Sequence, residues 1–228
     1  MIRNSSHESR ISMRTVKVAK LLARVYGKGQ WVAEGEPLDS LIGTILSQNT
    51  SDVNSGRAFE SLKRRFQTWE RVLVATPRRI AGAIRQGGLA GIKSRRIKAI
   101  LSEIKKSHGR LDLGFLQEMP AGEGYNYLLS FKGVGPKTAA CVLLFACRKP
   151  VFPVDTHILR IGKRLGWAKP KESAEAFQER MLGRIPPGWV YSMHINLIAH
   201  GRVVCRPRRP TCGECVLIKL CPSAFKIN

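Results

Sequence analysis

Apolar residues recur at the spacing of an α-helix along most of this 228-residue chain, and this periodicity constrains the fold more than any other feature. In the segment 92–108, four apolar residues share one helical face and a glycine ends the pattern: Ile97, Ile100, Leu101, Ile104 and then Gly109. Alternating patterns that are typical of strands are scarce. The sequence therefore predicts an all-α fold of about ten helices.

The charge balance indicates a polyanionic partner. The chain has 39 Lys and Arg residues against 16 Asp and Glu residues, for a formal net charge of +23. Such an excess opposes compact folding through self-repulsion, whereas binding to nucleic acid phosphates releases counterions. Nucleic acid is the first candidate and an anionic membrane surface the second. Because no segment is apolar over the length of a membrane span and the N-terminal residues do not resemble a signal peptide, we expect a cytoplasmic, nucleoid-associated protein.

A glycine-rich turn joins two helical segments in the middle of the chain. It reads Lys132-Gly133-Val134-Gly135-Pro136-Lys137-Thr138, and the apolar helix after it is predicted to extend to about Cys147. Two glycines permit positive φ and a close approach of backbone to a ligand, and Pro136 suits the first helical position. N–H groups at that helix start can donate to a phosphate oxygen. The motif lacks the third glycine of a dinucleotide-binding loop and the Gly-Lys-Ser/Thr order of a P-loop, which leaves a helix-hairpin-helix or an ordinary helical corner.

Two residues near this turn carry chemistry that an enzyme could use. Lys137 stands at the start of the helix after the turn, and Asp155 lies 18 residues later in the segment Pro153–Ile158. Taken singly, a lysine at a helix start is a solvated charge and an aspartate before a helix is an N-cap. A nucleophilic lysine must lose its proton, and we expect burial behind a bound partner to favour the neutral amine.

Four of the six cysteines are grouped at the C-terminal end. Cys205, Cys212, Cys215 and Cys221 follow the pattern C-x6-C-x2-C-x5-C. Four thiolates that close together can surround a metal centre, and this spacing differs from the paired C-x2-C modules that are usual for zinc. An iron–sulfur cluster, zinc and disulfides are the alternatives. Cys141 and Cys147 lie on the apolar helix, and we expect them to be core thiols.

The hairpin, the segment Pro153–Ile158 and the cysteine spacing together resemble the endonuclease III family of helix-hairpin-helix DNA glycosylases, and the resemblance extends from about Leu38 to the C-terminus. It implies two helical lobes with a DNA-binding cleft between them. One would be a six-helix barrel lobe with the helix-hairpin-helix (38–149), and the other a helical lobe with the cluster loop (13–37 plus 150–228). It further implies that Lys137 attacks C1′ of the damaged nucleotide, that Asp155 assists, and that the four cysteines hold a 4Fe–4S cluster.

The resemblance also implies which residues contact DNA. Such enzymes turn the target nucleotide out of the helix and fill the gap. Gln48 or Asn49 corresponds to the residue that fills this gap, and Leu89 to an apolar wedge. The remaining candidates grip the backbone and belong to the hairpin and to the cluster loop: Gly133, Val134, Gly135, Thr138, Arg206, Arg208 and Arg209.

The implied function is base excision repair. A bifunctional DNA glycosylase and AP lyase would remove damaged, oxidised pyrimidines from duplex DNA as a monomer, through a lysine Schiff base and β-elimination. Two alternatives stay open. The same fold could act on uracil or thymine in mismatches, or on another modified base, and a non-catalytic iron–sulfur DNA-binding module would need no lysine chemistry. Adenine excision is disfavoured, because relatives with that activity lack the lysine.

Overall fold

The computed structural model describes the backbone of residues 5–226 and the side chains of residues 13–226. Within these residues the chain contains eleven α-helices, four short 3-10 helices and no strand, which confirms the all-α prediction. In the same part of the chain, no helix combines the length and the apolarity needed to cross a membrane. The helices are α1 (Ser5–Tyr26), α2 (Pro37–Ser47), α3 (Asp52–Phe66), α4 (Trp69–Val74), α5 (Pro77–Ala83), α6 (Ala90–His108), α7 (Ala121–Ser130), α8 (Pro136–Phe145), α9 (Thr156–Arg164), α10 (Ala174–Met181) and α11 (Pro187–Val203).

The chain divides into two compact units. The first, Ala33–Lys149, is called the hairpin unit here, and the second, which combines the residues up to Val32 with those from Pro150 onward, is called the cysteine unit. The hairpin unit begins five residues before position 38, where the family resemblance placed the start of this lobe. The backbone N–H of Glu34 donates to the carbonyl of Phe145 at 2.8 Å, and this bond ties the segment before α2 to the end of α8.

Helices α2 and α8 pack against each other in the core of the hairpin unit. On α2 the buried residues follow the helical period: Leu38, Leu41, Ile42, Ile45 and Leu46. On α8 every residue from Thr138 to Leu144 is buried, as expected for a helix that is apolar on all sides. The hairpin turn is therefore attached to the most deeply buried helix of its unit, so its backbone is firmly supported.

The last helix of the hairpin unit ends slightly earlier than predicted. Helix α8 stops at Phe145 rather than near Cys147, and Arg148 then adopts a left-handed φ of 52°. The prediction that Cys141 and Cys147 are core thiols is confirmed, since both are buried. Burial raises the pKa of the Cys147 thiol to about 11, so it stays protonated near neutral pH.

The cysteine unit is built around α11. Helices α1 and α9 both pack against it, and its buried side chains include His194, Asn196 and His200. Asn196 donates from Nδ2 to the carbonyl of Gly27 at 2.8 Å, which ties the end of α1 to α11. The cysteine-bearing segment follows α11 directly, so this helix packing fixes where the segment begins.

Candidate functional site

The glycine turn before α8 has the geometry of a tight hairpin. Gly133 has φ +90°, a region that side chains rarely adopt, and an added Cβ would lie 2.6 Å from Cδ of Arg96. The N–H of Val134 donates to the carbonyl of Phe131 at 3.0 Å, and both side chains are buried. Gly135 is the N-cap residue of α8 and has ordinary extended backbone angles. The positive φ therefore favours glycine at 133, and an added Cβ would also have to displace the Arg96 side chain.

Lys137 is the second residue of α8 and is exposed in the free chain. The first i to i−4 bond of the helix runs from Ala139 N–H to the Gly135 carbonyl at 3.0 Å. The N–H groups of Lys137 and Thr138 therefore precede the helical ladder, where a phosphate oxygen can accept from them. The arrangement presents an amine and backbone donors on the same helix tip.

A chain of polar contacts links Gln48 to the hairpin. Its Nε2 donates to Oγ1 of the buried Thr138 at 3.2 Å, and its Oε1 accepts from Arg96 at 2.6 Å. Arg96 is the same residue that packs against Gly133. Both ends of the Gln48 amide are therefore occupied within the hairpin unit. Thr138 is buried and its side chain contacts Gln48, and its predicted contact with DNA stays a prediction.

Asn49 and Leu89 are two exposed residues with left-handed backbones. Asn49 has φ 53°, and Leu89 has φ 50° with half of its surface exposed, directly after Gly88 at φ 67°. A non-glycine residue in this region is uncommon, and a leucine held there and exposed is more unusual still. Core packing, the ordinary role of a leucine, does not account for Leu89.

Lys93 is almost completely buried, at 2% relative exposure, although it carries a cationic head group. Its Nζ donates to the carbonyls of Leu46 and Gly87, each at 2.7 Å. Burial lowers the pKa of Lys93, and the nearby charge of Arg96 lowers it further. The only signal in the sequence is that Lys93 shares the helical face of Ile97, Ile100 and Ile104, so a sequence reading missed it.

Asp155 is the N-cap residue of α9 in the cysteine unit. Its Oδ1 accepts from the N–H of Ile158 at 2.8 Å. The segment before it is held by two buried side chains of the same unit: Gln178 accepts from Val154 N–H at 2.9 Å, and His194 Nδ1 lies 3.0 Å from the Pro153 carbonyl. The carboxylate is thus fixed in place by its own unit. Lys137 belongs to the other unit, so the proximity of Lys137 to Asp155 stays a prediction.

The four C-terminal cysteines line one small cavity. No disulfide joins any cysteine of the chain, all six of which are described. Thr211 also lines this cavity, and its buried hydroxyl oxygen has no hydrogen-bond partner among the residues that the structure describes. Within residues 13–226, no group of three His, Cys, Asp or Glu side chains is placed to hold a single metal ion.

Two arginines of α9, which sequence reasoning missed, hold the cysteine segment by its backbone. Arg160 donates to the carbonyls of Gly201 at 2.8 Å and Cys205 at 3.0 Å. Arg164 donates to the carbonyls of Arg206 and Pro207 and to Sγ of Cys205 at 3.1 Å. The predicted phosphate contacts of this segment are all exposed: Arg206, Arg208 and Arg209. The segment therefore presents its own arginines outward while α9 supplies those that fix it.

The chain belongs to the HhH-GPD superfamily of base excision DNA repair proteins, whose family description matches residues 42–187, more than half of the chain. Within this superfamily it is similar to endonuclease III, which confirms the family resemblance. Endonuclease III of Thermotoga maritima is 33% identical over 191 residues, 82% of this chain and 84% of the relative.

Another relative is longer than this chain. An Arabidopsis thaliana protein designated a DNA glycosylase is 41% identical over 170 residues, which is 75% of this chain but only 58% of that protein. The fold itself is that of endonuclease III. The structure of a trapped endonuclease III–DNA covalent intermediate matches with a TM-score of 0.79 at 24% identity, over 94% of this chain and 97% of the other.

Proposed function

We propose that this protein is a bifunctional DNA glycosylase and AP lyase of base excision repair, with Lys137 as its nucleophile. The observation that carries the proposal is an exposed lysine at the tip of α8, beside backbone donors and behind a glycine hairpin, in a chain of the endonuclease III type. Duplex DNA that contains a damaged base or an abasic site is the proposed partner, and the net charge of +23 supports it. We expect the protein to act as a monomer.

The chemistry requires an unprotonated amine on Lys137. Its Nζ attacks C1′ of the damaged nucleotide, the bond from C1′ to the base breaks, and the base leaves with the bonding electrons and takes up a proton. Ring opening of the deoxyribose then leaves a protonated imine between Nζ and C1′. Loss of a 2′ proton expels the 3′ phosphate, which cuts the strand. The exposure of Lys137 in the free chain leaves its amine accessible, and bound DNA would exclude water from it.

Asp155 is proposed to stabilise the positive charge that develops on the sugar as the base leaves. Its place at the start of α9, with one oxygen held by Ile158 N–H, fixes the direction in which the carboxylate points. A carboxylate fixed in advance needs no rearrangement when charge develops. The proposed effect is therefore on base loss rather than on DNA binding.

Asn49, rather than Gln48, is the better candidate to fill the gap left by the extruded base. The Gln48 amide is hydrogen-bonded to Thr138 and Arg96 within the hairpin unit, whereas Asn49 is exposed at a left-handed turn. Leu89, exposed and left-handed, is proposed as the apolar wedge. Inserting such side chains compensates for the stacking lost when a base is turned out.

A 4Fe–4S cluster is proposed for the cysteine unit, held by Cys205, Cys212, Cys215 and Cys221. The residues fit such a group, because four thiols and the unpartnered Thr211 hydroxyl line one cavity and Arg164 donates to Cys205 Sγ. When bound, the cluster supplies a structural cross-link among four points of one segment. In that segment Arg206, Arg208 and Arg209 are proposed to contact phosphates, which gives the cluster an indirect role in DNA binding.

Oxidised pyrimidines are the proposed substrates. Because Asn49 is the exposed one of the two residues that could fill the gap, a second substrate class, uracil or thymine in mismatches, stays open within the same chemistry. A panel of duplexes that each carry one lesion separates the two substrate candidates. Each candidate predicts strand cleavage, but of a different duplex in the panel. A protein that only bound DNA would cleave none of them.

Borohydride reduction on abasic duplex DNA tests the proposed function. Hydride converts the imine into a stable amine, so the enzyme becomes covalently attached to DNA. We expect the native chain to be trapped, Lys137→Ala to lose trapping by at least about 1,000-fold, and Lys132→Ala to be trapped normally. Lys132 is the matched control because it is an exposed lysine of the same hairpin. Equal trapping of Lys137→Ala and the native chain contradicts the proposal.

A further inference from the structure

We propose that Lys93 is a positioning residue that ties together the two loops by which this protein invades the DNA stack. This inference rests on the proposed function and extends it to a buried residue that touches neither DNA nor the reacting atoms. Its basis is the pair of carbonyls, Leu46 and Gly87, that the Lys93 ammonium binds at the same time.

The two carbonyls lie just before the two proposed DNA-probing residues. Leu46 is at the end of α2, three positions before Asn49, and Gly87 is two positions before Leu89. One ammonium group therefore spans the turn that leads to the gap-filling residue and the turn that leads to the wedge. Both bonds are 2.7 Å, short for an N–H to carbonyl contact.

The backbone at Gly87 lies close to the Leu46 carbonyl and to α3. A Cβ added to Gly87 would lie 3.1 Å from the Cβ of Ala58 and 3.8 Å from the Leu46 carbonyl oxygen. A side chain at 87 would therefore press on Ala58 beside the carbonyl that the lysine head group binds. With Asn49 and Leu89 both in left-handed conformations, the fixed separation of the two turns decides whether both side chains enter one gap.

The alternative role for Lys93 is general stabilisation of the fold, and the chain contains a control for it. Lys98 lies on the same helix and likewise donates from Nζ to two backbone carbonyls, those of Leu73 and Ala75. These belong to α4 and its C-cap, outside both proposed probing loops. Replacing either lysine by methionine removes two hydrogen bonds while keeping a similar apolar stem, so the pair separates stabilisation from positioning.

The experiment compares trapping rates on an abasic site in duplex DNA and on the same site in a single strand. Only the duplex site must be turned out of a stacked helix. For Lys93→Met we expect the ratio of duplex to single-strand rates to fall by about 10-fold to 100-fold, with duplex affinity unchanged. For Lys98→Met, whose bonds are only part-buried, we expect a smaller loss of melting temperature and a ratio within about two-fold of the native value.

Two results would overturn the inference: an unchanged ratio in Lys93→Met, which includes an equal loss of both rates, or an equal fall of the ratio in both variants. If Lys93→Met does not fold, Lys93→Gln, which keeps an N–H donor on a shorter stem, takes its place. If no replacement at position 93 folds while Lys98→Met does fold, the inference is also overturned, because Lys93 then has a purely structural role. If the native chain is not trapped on either DNA, the proposed function itself fails, and this outcome differs from every result that overturns only the role of Lys93.

Discussion

The hairpin at residues 131–137 and the cysteine segment at residues 205–221 are both proposed to grip DNA backbone, yet they are held by different means. The hairpin follows from its own backbone: Gly133 at positive φ, a bond from Val134 to Phe131, and a deeply buried helix behind it. In the cysteine segment Leu217 is the only buried residue. Its shape depends on Arg160 and Arg164 and on whatever the four cysteines bind.

The comparison shows which of the two regions needs a bound group to keep its shape and which keeps its shape through the polypeptide alone. A hairpin supported by a core keeps its geometry without any bound group. A segment that buries one side chain has little hydrophobic stabilisation of its own, so we expect the proposed cross-link among four cysteines to supply most of its order. We therefore expect damage to the cysteines to disorder the cysteine segment severely, and damage to the hairpin to lower stability moderately and to weaken DNA binding.

The largest expected effect is on cofactor content. Cys212→Ser removes one proposed ligand, and we expect iron to fall from about four atoms per chain to near zero, with loss of the broad absorbance near ~400 nm. Cys147→Ala is the control, because this buried thiol lies outside the cavity and should leave the iron unchanged. Zinc in the native chain, or full iron in Cys212→Ser, would show that the cysteine segment is organised differently.

The second effect concerns Asp155, whose charge and capping roles can be separated. Asparagine caps a helix about as well as aspartate but carries no charge. We expect Asp155→Asn to lower the rate of base excision by about 100-fold or more, while DNA affinity measured by fluorescence anisotropy changes by less than about two-fold. Parallel losses in both measurements would mean that Asp155 acts in binding or folding instead.

The third effect compares the two glycines of the hairpin. Gly133→Ala places a Cβ against Arg96 at a strained φ and should cost about 1–3 kcal/mol in the free energy of unfolding, with weaker DNA binding. Gly135→Ala is the matched control, since its φ is −99° and no atom lies within 4 Å of an added Cβ. Similar denaturation midpoints for the two variants would contradict the hairpin geometry.

The smallest effect is expected at the exposed arginines of the cysteine segment. Arg208→Ala should weaken binding to every duplex alike, and should reduce the slope of log affinity against log salt by about 1. The measurement is a salt titration of duplex affinity in the native chain and the variant. A change that depends on the lesion would instead assign Arg208 to base recognition.

Much of this organisation could be predicted from the sequence, because helices and metal-type cysteine spacing leave periodic signals. The all-α fold, the helix at 90–108 and the core position of Cys141 and Cys147 follow from apolar periodicity. The four cysteines that line one cavity were singled out by spacing alone. Such features are local in sequence, so a chain read in order reveals them.

The residues that sequence reasoning missed act across long separations. Lys93 binds a carbonyl 47 positions away, and Arg164 binds the backbone 42 positions away. The sequence does not indicate which carbonyls a lysine on an apolar helical face will bind, because every residue has a backbone carbonyl. The choice between Gln48 and Asn49 likewise depended on contacts with Arg96 and Thr138, which no spacing rule supplies.

The most direct measurement is to locate the covalent bond after borohydride trapping on abasic duplex DNA. Digestion of the trapped complex and mass spectrometry of its peptides identify the residue that carries the reduced sugar remnant. We expect a single modified residue, Lys137, at the tip of α8. A remnant found on Lys132, or on any other amine while Lys137 is unmodified, would contradict it.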